Sequence, residues 1–426
     1  MKDRTKNSCD YQQTLLPIDE ALSLLEEKAI PVSDIEEVEL KNALGRILAE
    51  DLSSRINVPP ADNSAMDGYA VNASDLSPES EKKLKVSQRI CAGQTGVALE
   101  TGSAARIFTG APIPENANAV VMQENCEATD DDVIIRSKVS SGANIRKAGE
   151  DIRENTIILK AGQKLRAQDL GLAASVGFAK IPVMRRLKVA VFFTGDELRD
   201  PGEELSAGQI YNSNRYTMHG LLVDMGCDVI DIGNVQDTLE ATTAAMQKAA
   251  EVSDLVMTSG GVSVGEEDHI RKALEHLGTL DMWRINVKPG KPLAFGQLHP
   301  LSKNDPSVSI PLLGLPGNPV SVFVTFCIFA RPYILKMQGA SNTKPNSFKV
   351  ASGFDLTVKE KRNEYVRARI EYNENGKSFL SIYPNQGSGV LTSASWANGL
   401  ALIPAETLVK HEDMIEFIPF TELSVG

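Results

Sequence analysis

The spacing of apolar positions predicts a helix near the start of the chain. Ile18, Ala21, Leu25 and Ala29 recur at the interval of one helix face, and Pro31 is expected to end that helix. Between about residues 53 and 154 the pattern changes to short apolar runs separated by Gly, Pro and Asn. These runs are Arg89–Cys91, Ala105–Phe108, Ala119–Met122 and Val133–Ile135. They predict a compact β-rich module with short loops.

From about Leu187 the pattern alternates between short buried strands and amphipathic helices. Strands are predicted at Lys188–Phe193, Asp228–Ile232, Leu255–Thr258 and Ile310–Gly314, with helices at about Asn214–Met225, Thr238–Glu251 and Asp268–Leu277. A further apolar helix opens at Pro319. This alternation is typical of βαβ units, so the fold class is α/β plus β, with a central domain built on a mostly parallel sheet.

After Asn342, turn signals recur about every ten residues between alternating apolar runs. The runs are Tyr365–Ile370, Phe379–Tyr383 and Leu400–Ile403. This pattern of turns and alternating runs predicts a small C-terminal β barrel or sandwich.

The net charge of the chain limits the ligands that it is expected to bind. Lys and Arg number 44 against 56 Asp and Glu, so the net charge is −12, which disfavours nucleic acid and anionic membranes as general partners. An anionic ligand would need a local cluster of cations. The polar first residues are not a secretory signal, and the longest apolar stretch, Ser321–Ala330, is too short to span a bilayer. A soluble cytoplasmic protein is expected.

Three of the predicted parallel strands end in glycine-rich turns, at Thr194–Glu197, Ser259–Gly265 and Gly314–Asn318. Ligands of open parallel sheets bind beyond the carboxyl ends of the strands, and helix N-termini there favour anions. Glycine-rich turns of this kind are also common without any ligand. Neither G-x-G-x-x-G nor G-x-x-x-x-G-K-[ST] occurs, which disfavours a dinucleotide or P-loop site.

A basic segment and several carboxylates are candidate chemical groups. Arg284, Lys288 and Lys291 fall within eight residues, and in an extended strand Arg284 and Lys288 would share one face and could clamp an oxyanion. The alternative is a solvated edge strand. The carboxylates, which suit Mg²⁺, are Asp67, Asp151, Asp196, Glu197 and Asp268. They can equally be turn, cap and loop residues.

The ordered motifs of this chain closely resemble those of one family. They are Asp62–Val71, Phe108–Pro112, Asn144–Arg146, Gly149–Ile152, Thr194–Leu198, Ser259–Gly265, Lys288–Pro292 and Gly314–Pro319. From about residue 14 to the end the sequence resembles the molybdopterin molybdenumtransferases, the MoeA family, related to the C-terminal domain of gephyrin. Asn118 departs from that pattern where an acidic residue is common, and Asn72 departs where an arginine is common.

The resemblance implies four domains and a homodimer whose active site is shared between chains. The implied domains are a discontinuous linker and dimerisation domain (residues 14–52 and 155–185), an inserted β-rich module (53–154), an α/β molybdopterin-binding domain (186–340) and a C-terminal β-barrel domain (341–426). The inserted module of one chain would face the α/β domain of the other.

The resemblance also implies a reaction, in which molybdate is inserted into adenylylated molybdopterin and AMP is released. The implied catalytic residues are Glu197, Asp67, Asp151, Asp268 and Lys288, and Glu197, Asp67 and Asp151 would hold Mg²⁺. The implied substrate-binding residues are Thr109, Arg146, Asp237, Ser259, Gly260, Gly261, Arg284, Lys291, Pro316, Gly317, Asn318, Arg367 and Ser388.

Two other functions remain open at this point. One is molybdopterin adenylyltransferase activity, which produces the adenylylated pterin, and the other is a gephyrin-like scaffold without catalysis. The sequence also leaves open the choice between molybdate and tungstate, since the two oxyanions have similar size and charge.

Overall fold

The computed structural model describes residues 15–76, 81–136, 138–261, 269–300 and 308–423. Asp268 and the motif residues 262–265 lie outside the described residues. The first part of the chain forms α1 (Ile18–Lys28), β1 (Ile35–Glu39), β2 (Leu52–Ser53), β3 (Asn63–Ser64), β4 (Gly68–Val71), β5 (Lys82–Ile90), β6 (Ser103–Ile107), β7 (Ala119–Met122), β8 (Cys126–Ala128), β9 (Asp132–Ile135), β10 (Ile145–Arg146), β11 (Ile157–Leu159), α2 (Ala167–Ser175) and β12 (Lys180–Met184).

The remaining elements belong to the α/β and C-terminal regions. The α/β region contains β13 (Lys188–Thr194), β14 (Leu198–Arg199), β15 (Ile210–Tyr211), α3 (Ser213–Asp224), β16 (Asp228–Val235), α4 (Leu239–Val252), β17 (Leu255–Ser259), α5 (His269–Leu277), β18 (Gly278–Arg284), β19 (Val287–Lys288), β20 (Pro292–Leu298), β21 (Ile310–Leu315), α6 (Pro319–Thr325) and α7 (Arg331–Met337). The C-terminal region contains β22 (Phe348–Ala351), β23 (Asn363–Tyr372), β24 (Ser378–Ile382), α8 (Leu391–Trp396), β25 (Gly399–Ile403), β26 (Met414–Pro419) and α9 (Phe420–Leu423).

The central sheet has the strand order β16-β13-β17-β21-β20-β18. The first four strands are parallel, and β20 and β18 are antiparallel additions at one edge, which confirms a mostly parallel sheet. After β13 the chain adds β16 on one side and then returns to add β17 on the other. The carboxyl ends of β13 and β17 therefore border the topological switch point, where sheets of this type collect ligands.

Both faces of this sheet are covered. Val189, Val191 and Phe193 point into one apolar core, whereas Ala190 and Phe192 point into the other. Burial on both faces explains why β13 has a continuous apolar run rather than an alternating one. The first core also receives Ala21 and Leu25 of α1, because α1 packs against α7.

Helix α6, a π-helical turn at Phe326–Ala330 and α7 form one continuous helical stretch, Pro319–Met337. By length and composition alone it could cross a membrane, with a mean hydropathy of 1.5. However, 83% of its most apolar window is buried within the protein, as is usual for the core helix of a globular domain.

The predicted β-rich module is a six-stranded sheet with the order β7-β4-β6-β5-β9-β8 and an apolar core on each face. Its two ends join the chain at a small core that combines residues from before and after the module, among them Leu48, Leu52, Leu159 and Leu165. In the C-terminal region, a bridge between Ser352 and Leu380 links β22 to β24 and closes the sheet into the predicted barrel. The exact domain boundaries stay predictions.

Candidate active site

The three glycine-rich turns meet at the carboxyl edge of the central sheet. Asn214, in the first turn of α3, donates from Nδ2 to Ser259 Oγ (2.9 Å) and to the carbonyl of Gly317 (2.7 Å). The Ser259 hydroxyl donates to the carbonyl of Pro316 (3.2 Å). One amide and one hydroxyl thus join the turn after β17 to the turn after β21.

Glycine is required where these turns approach each other. Gly260 and Gly261 have φ values of +95° and +62°, in the left-handed region. A Cβ on Gly260 would lie 3.0 Å from the Thr194 carbonyl, and a Cβ on Gly317 would lie 3.7 Å from Gly260 Cα. The 3.7 Å separation is an ordinary contact, whereas a side chain at Gly260 would crowd the Thr194 carbonyl, so glycine at 260 keeps the ends of β13 and β17 close together.

Two buried polar oxygens at this edge have no hydrogen-bond partner within the described residues, Thr194 Oγ1 and Asn214 Oδ1. Leaving such an atom unpaired costs about 1–3 kcal/mol, so sites of this kind are usually completed by a ligand or water. The sequence analysis missed Asn214. Its position at the start of a helix that begins at the carboxyl edge of the sheet was the available signal.

The turn after β13 contacts the turn after β16. The backbone N–H of Asp237 donates to Asp196 Oδ1 over 3.3 Å. Glu197 is exposed, and its carboxylate folds back over Gly195, where a Cβ would lie 2.7 Å from Oε2. The structure therefore places Glu197 and Asp237 on neighbouring turns of the same edge.

An ion-pair network holds the loop that follows Glu197. Arg215 of α3 donates to both carboxylate oxygens of Asp200 (2.8 Å each) and to Asp231 (2.7 Å). The hydrogen bond to Asp231 is the main cause that raises the pKa of Arg215. This network fixes the loop between β14 and β15 beside the glycine-rich turns.

The basic segment differs from its predicted geometry. Arg284 ends β18 in the central sheet, whereas Lys288 lies in β19, which pairs with β23 of the C-terminal sheet. The expectation that Arg284 and Lys288 share a strand face was wrong, because the chain changes sheets between them. Lys288 Nζ lies 3.2 Å from both Glu360 and Glu364, so it is ion-paired, while Lys291 is exposed.

The C-terminal barrel reaches the same edge through its loop at residues 386–389. The carbonyl of Ser388 accepts a hydrogen bond from the N–H of Val320 (2.9 Å) in the first turn of α6, directly after Asn318. Arg367, on β23, is fully buried and donates to Ser393 Oγ (3.1 Å) and to the carbonyls of Tyr365 and Gly387. Burial lowers the pKa of Arg367 to about 10. These hydrogen bonds let Arg367 position the loop of Ser388, and its contact with a substrate stays a prediction.

The predicted site residues of the inserted module form a separate cluster of loops. Asp67 Oδ1 accepts from the backbone N–H and from the hydroxyl of Thr109 (2.8 Å each), and these two bonds lower the pKa of Asp67. Arg146 lies opposite Asn63 in the β3–β10 pair, and Asp151 follows on an exposed loop. Asp67, Thr109 and Arg146 thus lie on neighbouring segments of the module, and Asp151 follows Arg146 closely in the chain.

Asn72 and Asn118, which depart from the family pattern, contact each other. Asn118 Nδ2 donates to Asn72 Oδ1 (3.4 Å), and Asn118 Oδ1 accepts from the N–H of Ala73 (2.8 Å). The two residues that depart from the expected pattern are thus a contacting pair of neutral amides.

A metal site is not formed by the described residues alone. In the described ranges no three Asp, Glu, His or Cys side chains lie close enough together to hold a metal ion. Glu197 lies at the edge of the central sheet, whereas Asp67 and Asp151 lie in the inserted module. The predicted Mg²⁺ ligands of this chain therefore do not fit a complete site.

Comparisons with known proteins agree with this architecture. Residues 16–177 match the MoeA N-terminal region (domain I and II), residues 190–336 match the probable molybdopterin binding domain, and residues 349–420 match the MoeA C-terminal region (domain IV). The chain is 39% identical to a molybdopterin molybdenumtransferase of Haemophilus influenzae, over 96% of this chain and all of the relative. The chain belongs to the molybdopterin molybdenumtransferase (MoeA) family.

Other relatives support the same assignment. A molybdopterin molybdenumtransferase of Nostoc is 36% identical over 88% of this chain and 86% of the relative. The crystal structure of a molybdopterin biosynthesis MoeA protein from Pyrococcus horikoshii OT3 is 30% identical and superposes with a TM-score of 0.81 over 95% of this chain and all of that chain. The multidomain α/β plus β fold is therefore that of the family.

The structure gathers some predicted residues and separates others. Ser259, Gly260, Gly261, Pro316, Gly317, Asn318, Glu197, Asp237 and the backbone of Ser388 lie along one edge. Thr109, Asp67, Arg146 and Asp151 lie on the module loops. Within one chain the predicted site residues thus form two separate groups, one at the edge of the central sheet and one on the inserted module.

Proposed function

We propose that this protein inserts molybdenum from molybdate into adenylylated molybdopterin and releases AMP. The observation that carries the proposal is the group of joined turns at the switch point, with two buried oxygens left unpartnered, in a region matching a probable molybdopterin binding domain. Full-length relatives named molybdopterin molybdenumtransferase support it. When the phosphoanhydride breaks, one water molecule supplies the new P–O bond, so that AMP leaves and molybdopterin keeps its own phosphate as a monoester. When the two thiol sulfurs of the pterin bind molybdenum, their two protons leave with one oxygen of molybdate as water.

The joined turns would bind the pterin substrate. Thr194 Oγ1 and Asn214 Oδ1 can accept hydrogen bonds, and the ring and amino N–H groups of a pterin are suitable donors. Glycines at 260, 261 and 317 leave room for a ligand to approach the backbone. The substrate would then be oriented before the reaction, which lowers the entropic part of the barrier.

Cations are needed because molybdate and a phosphoanhydride repel each other. Arg284 and Lys291 have no ion pair among the described residues and lie on either side of the ion-paired Lys288. Arg146 of the inserted module is also exposed and without an ion pair in the described ranges. Fixed cations in a partly dry cleft stabilise developing negative charge more strongly than the same cations do in water.

We further propose that a homodimer brings the two groups of site residues together and that the reaction takes place in the cytoplasm with Mg²⁺. The module loops of one copy would then face the turns of the other. The separation of the two groups within one chain supports this arrangement. Because the described residues of a single chain form no metal site, the substrates or the second copy would have to complete the Mg²⁺ coordination.

Mixing two inactive variants tests the shared site. Asp67→Asn and Glu197→Gln each remove one half of every site in a homodimer, whereas subunit exchange creates one intact site in each mixed dimer. We expect partial recovery of activity after exchange verified by mass spectrometry of the native complex. A monomer in light scattering, or no recovery in verified mixed dimers, would contradict the shared site.

The reaction itself is tested by incubating the purified protein with adenylylated molybdopterin, molybdate and Mg²⁺. We expect AMP release together with molybdenum bound in the pterin. Formation of adenylylated pterin from ATP and molybdopterin would instead support an adenylyltransferase. Absence of both activities in a protein that still binds the pterin would favour the scaffold function. Replacing molybdate by tungstate in the same assay measures the preference between the two oxyanions.

A further inference from the structure

A large groove lies at the opposite edge of the central sheet from the candidate active site. Its volume is about 1090 Å³, and its walls come from residues 44–46 and 160–167, from the end of α3 and the start of α7, and from residues 421–423. Arg186, which precedes β13, and Gly226, which follows α3, both line it. Helix α3 begins at the carboxyl edge and runs back along the sheet, so its end marks the amino edge.

The walls of this groove are tied together within the chain. The N–H of Ser341 donates to the carbonyl of Gly162 over 2.9 Å, which joins the segment after α7 to the segment before α2. Arg331 donates to the carbonyl of Thr343 over 3.0 Å. These bonds hold three parts of the chain around one concave surface, whose volume suits a small molecule.

The charge of the groove is opposite to that of the whole chain. Seven of its lining residues are Lys or Arg and two are Asp or Glu, although the chain carries a net charge of −12. Arg46 is paired with Glu36 (2.7 Å) and Arg166 with Asp169 (3.0 Å). The other five cations have no ion pair in the described part of the chain.

Two of these five cations, Lys164 and Arg331, are half-buried and close enough to repel each other. Burial is the main cause that lowers the pKa of Lys164, and the charge of Arg331 lowers it further. Burial also lowers the pKa of Arg331. The two carboxylates of the groove offset part of this effect: the negative charge of Asp224 raises the pKa of Lys164, and that of Glu422 raises the pKa of Arg331. Glu422 also accepts hydrogen bonds from the backbone and the side chain of Asn346.

We propose that this groove is a second ligand site, which binds a small polyanion that carries a phosphate chain. The unpaired cations on its walls provide several charged donors for phosphate oxygens, and the two guanidinium groups of Arg186 and Arg331 match phosphate geometry. A long polyanion such as a nucleic acid would extend beyond the groove and be repelled by the net charge of −12. The site faces away from the joined turns, so its ligand is distinct from the pterin substrate, and the proposal does not depend on the proposed function.

Amine footprinting tests the site directly. The full-length protein is treated with acetic anhydride with and without inorganic tripolyphosphate at 150 mM salt, and acetylation of each lysine is measured by peptide mass spectrometry. We expect tripolyphosphate to protect Lys160, Lys164 and Lys344 severalfold, while Lys248, exposed on α4 at the other face of the sheet, is not protected. Equal acetylation of the three groove lysines with and without tripolyphosphate would overturn the proposal.

Affinity measurements give a second, independent test. By calorimetry, Lys164→Gln should weaken tripolyphosphate binding about tenfold, as expected for the loss of one charged hydrogen bond. The control Lys248→Gln changes the net charge equally and should leave the affinity unchanged. If both variants bind tripolyphosphate equally more weakly, the binding is nonspecific electrostatic attraction, and the proposed site is wrong. Protection of the groove lysines that rises with protein concentration and needs no tripolyphosphate would assign the groove to another copy of the chain, and would also overturn it.

Discussion

Asn214 donates a hydrogen bond to Ser259 Oγ over 2.9 Å and so connects the first turn of α3 to the end of β17. Its second hydrogen bond, to the carbonyl of Gly317, reaches the turn after β21. One side chain therefore sets the distance between two turns that come from strands more than fifty residues apart in the sequence. The proposed pterin site depends on this distance.

The first prediction concerns Asn214. Asn214→Ala removes both hydrogen bonds, and each is worth about 0.5–1.5 kcal/mol. We expect the free energy of unfolding to fall by roughly 1–3 kcal/mol on the same basis, and pterin binding to weaken tenfold or more because the turns separate. Binding is measured by calorimetry and stability by denaturant unfolding. Asn375→Ala, in an exposed turn, is the control; equal affinities for the two variants would contradict the bridging role.

The second prediction concerns Lys288, which lies between Glu360 and Glu364. Glu364 is only 8% exposed, so Lys288→Met leaves a nearly buried carboxylate without its cation, at a cost of about 1–3 kcal/mol. Adding Glu364→Gln should restore part of this loss, because the neutral amide needs no counter-charge. Lys291→Met should leave stability unchanged, since Lys291 is exposed.

Thermal or denaturant unfolding of the four proteins forms a double-mutant cycle for Lys288 and Glu364. Strictly additive effects would show that the ion pair does not stabilise the protein. In that case Lys288 would again be a candidate for direct contact with the substrate, as the sequence alone suggested.

The third prediction separates catalysis from folding at Glu197. Its side chain is exposed and has no ion pair among the described residues, so Glu197→Gln should leave the melting temperature almost unchanged and still allow pterin binding. Molybdenum insertion should fall about a hundredfold, as when a preorganised charge is lost. Glu204→Gln, in the same loop, is the control. Insertion at the parental rate in Glu197→Gln would show that Glu197 is only a loop carboxylate.

The fourth prediction concerns pH and Asp67. The two hydrogen bonds from Thr109 lower the folded-state pKa of Asp67, so they stabilise the folded protein above the unfolded pKa. This contribution is lost as the pH falls through the folded pKa. Thr109→Val removes the hydroxyl but keeps the backbone N–H, and should raise the pKa of Asp67 part of the way toward its ordinary value. Carboxyl NMR titration measures this change; identical titration curves in both proteins would show that the hydroxyl has no effect.

Local sequence patterns predicted most elements well. Helix α4 was expected at about Thr238–Glu251 and is found at Leu239–Val252, and β17 extends its predicted range by one residue, to Ser259. These elements were predictable because apolar periodicity, helix caps and glycine turns act over a few residues. The resemblance to the family was equally accessible, because ordered motifs are a property of the sequence alone.

The sequence by itself therefore determined the order of elements, the mostly parallel sheet, the barrel and the family. Only the tertiary structure decided that the chain changes sheets between Arg284 and Lys288, that Arg367 is buried, and that Asn214 joins two turns. It alone gathered cations from distant segments into a groove at the amino edge. These features depend on contacts between residues far apart in the chain, and no local spacing encodes the partner that a charge or a side-chain amide will meet.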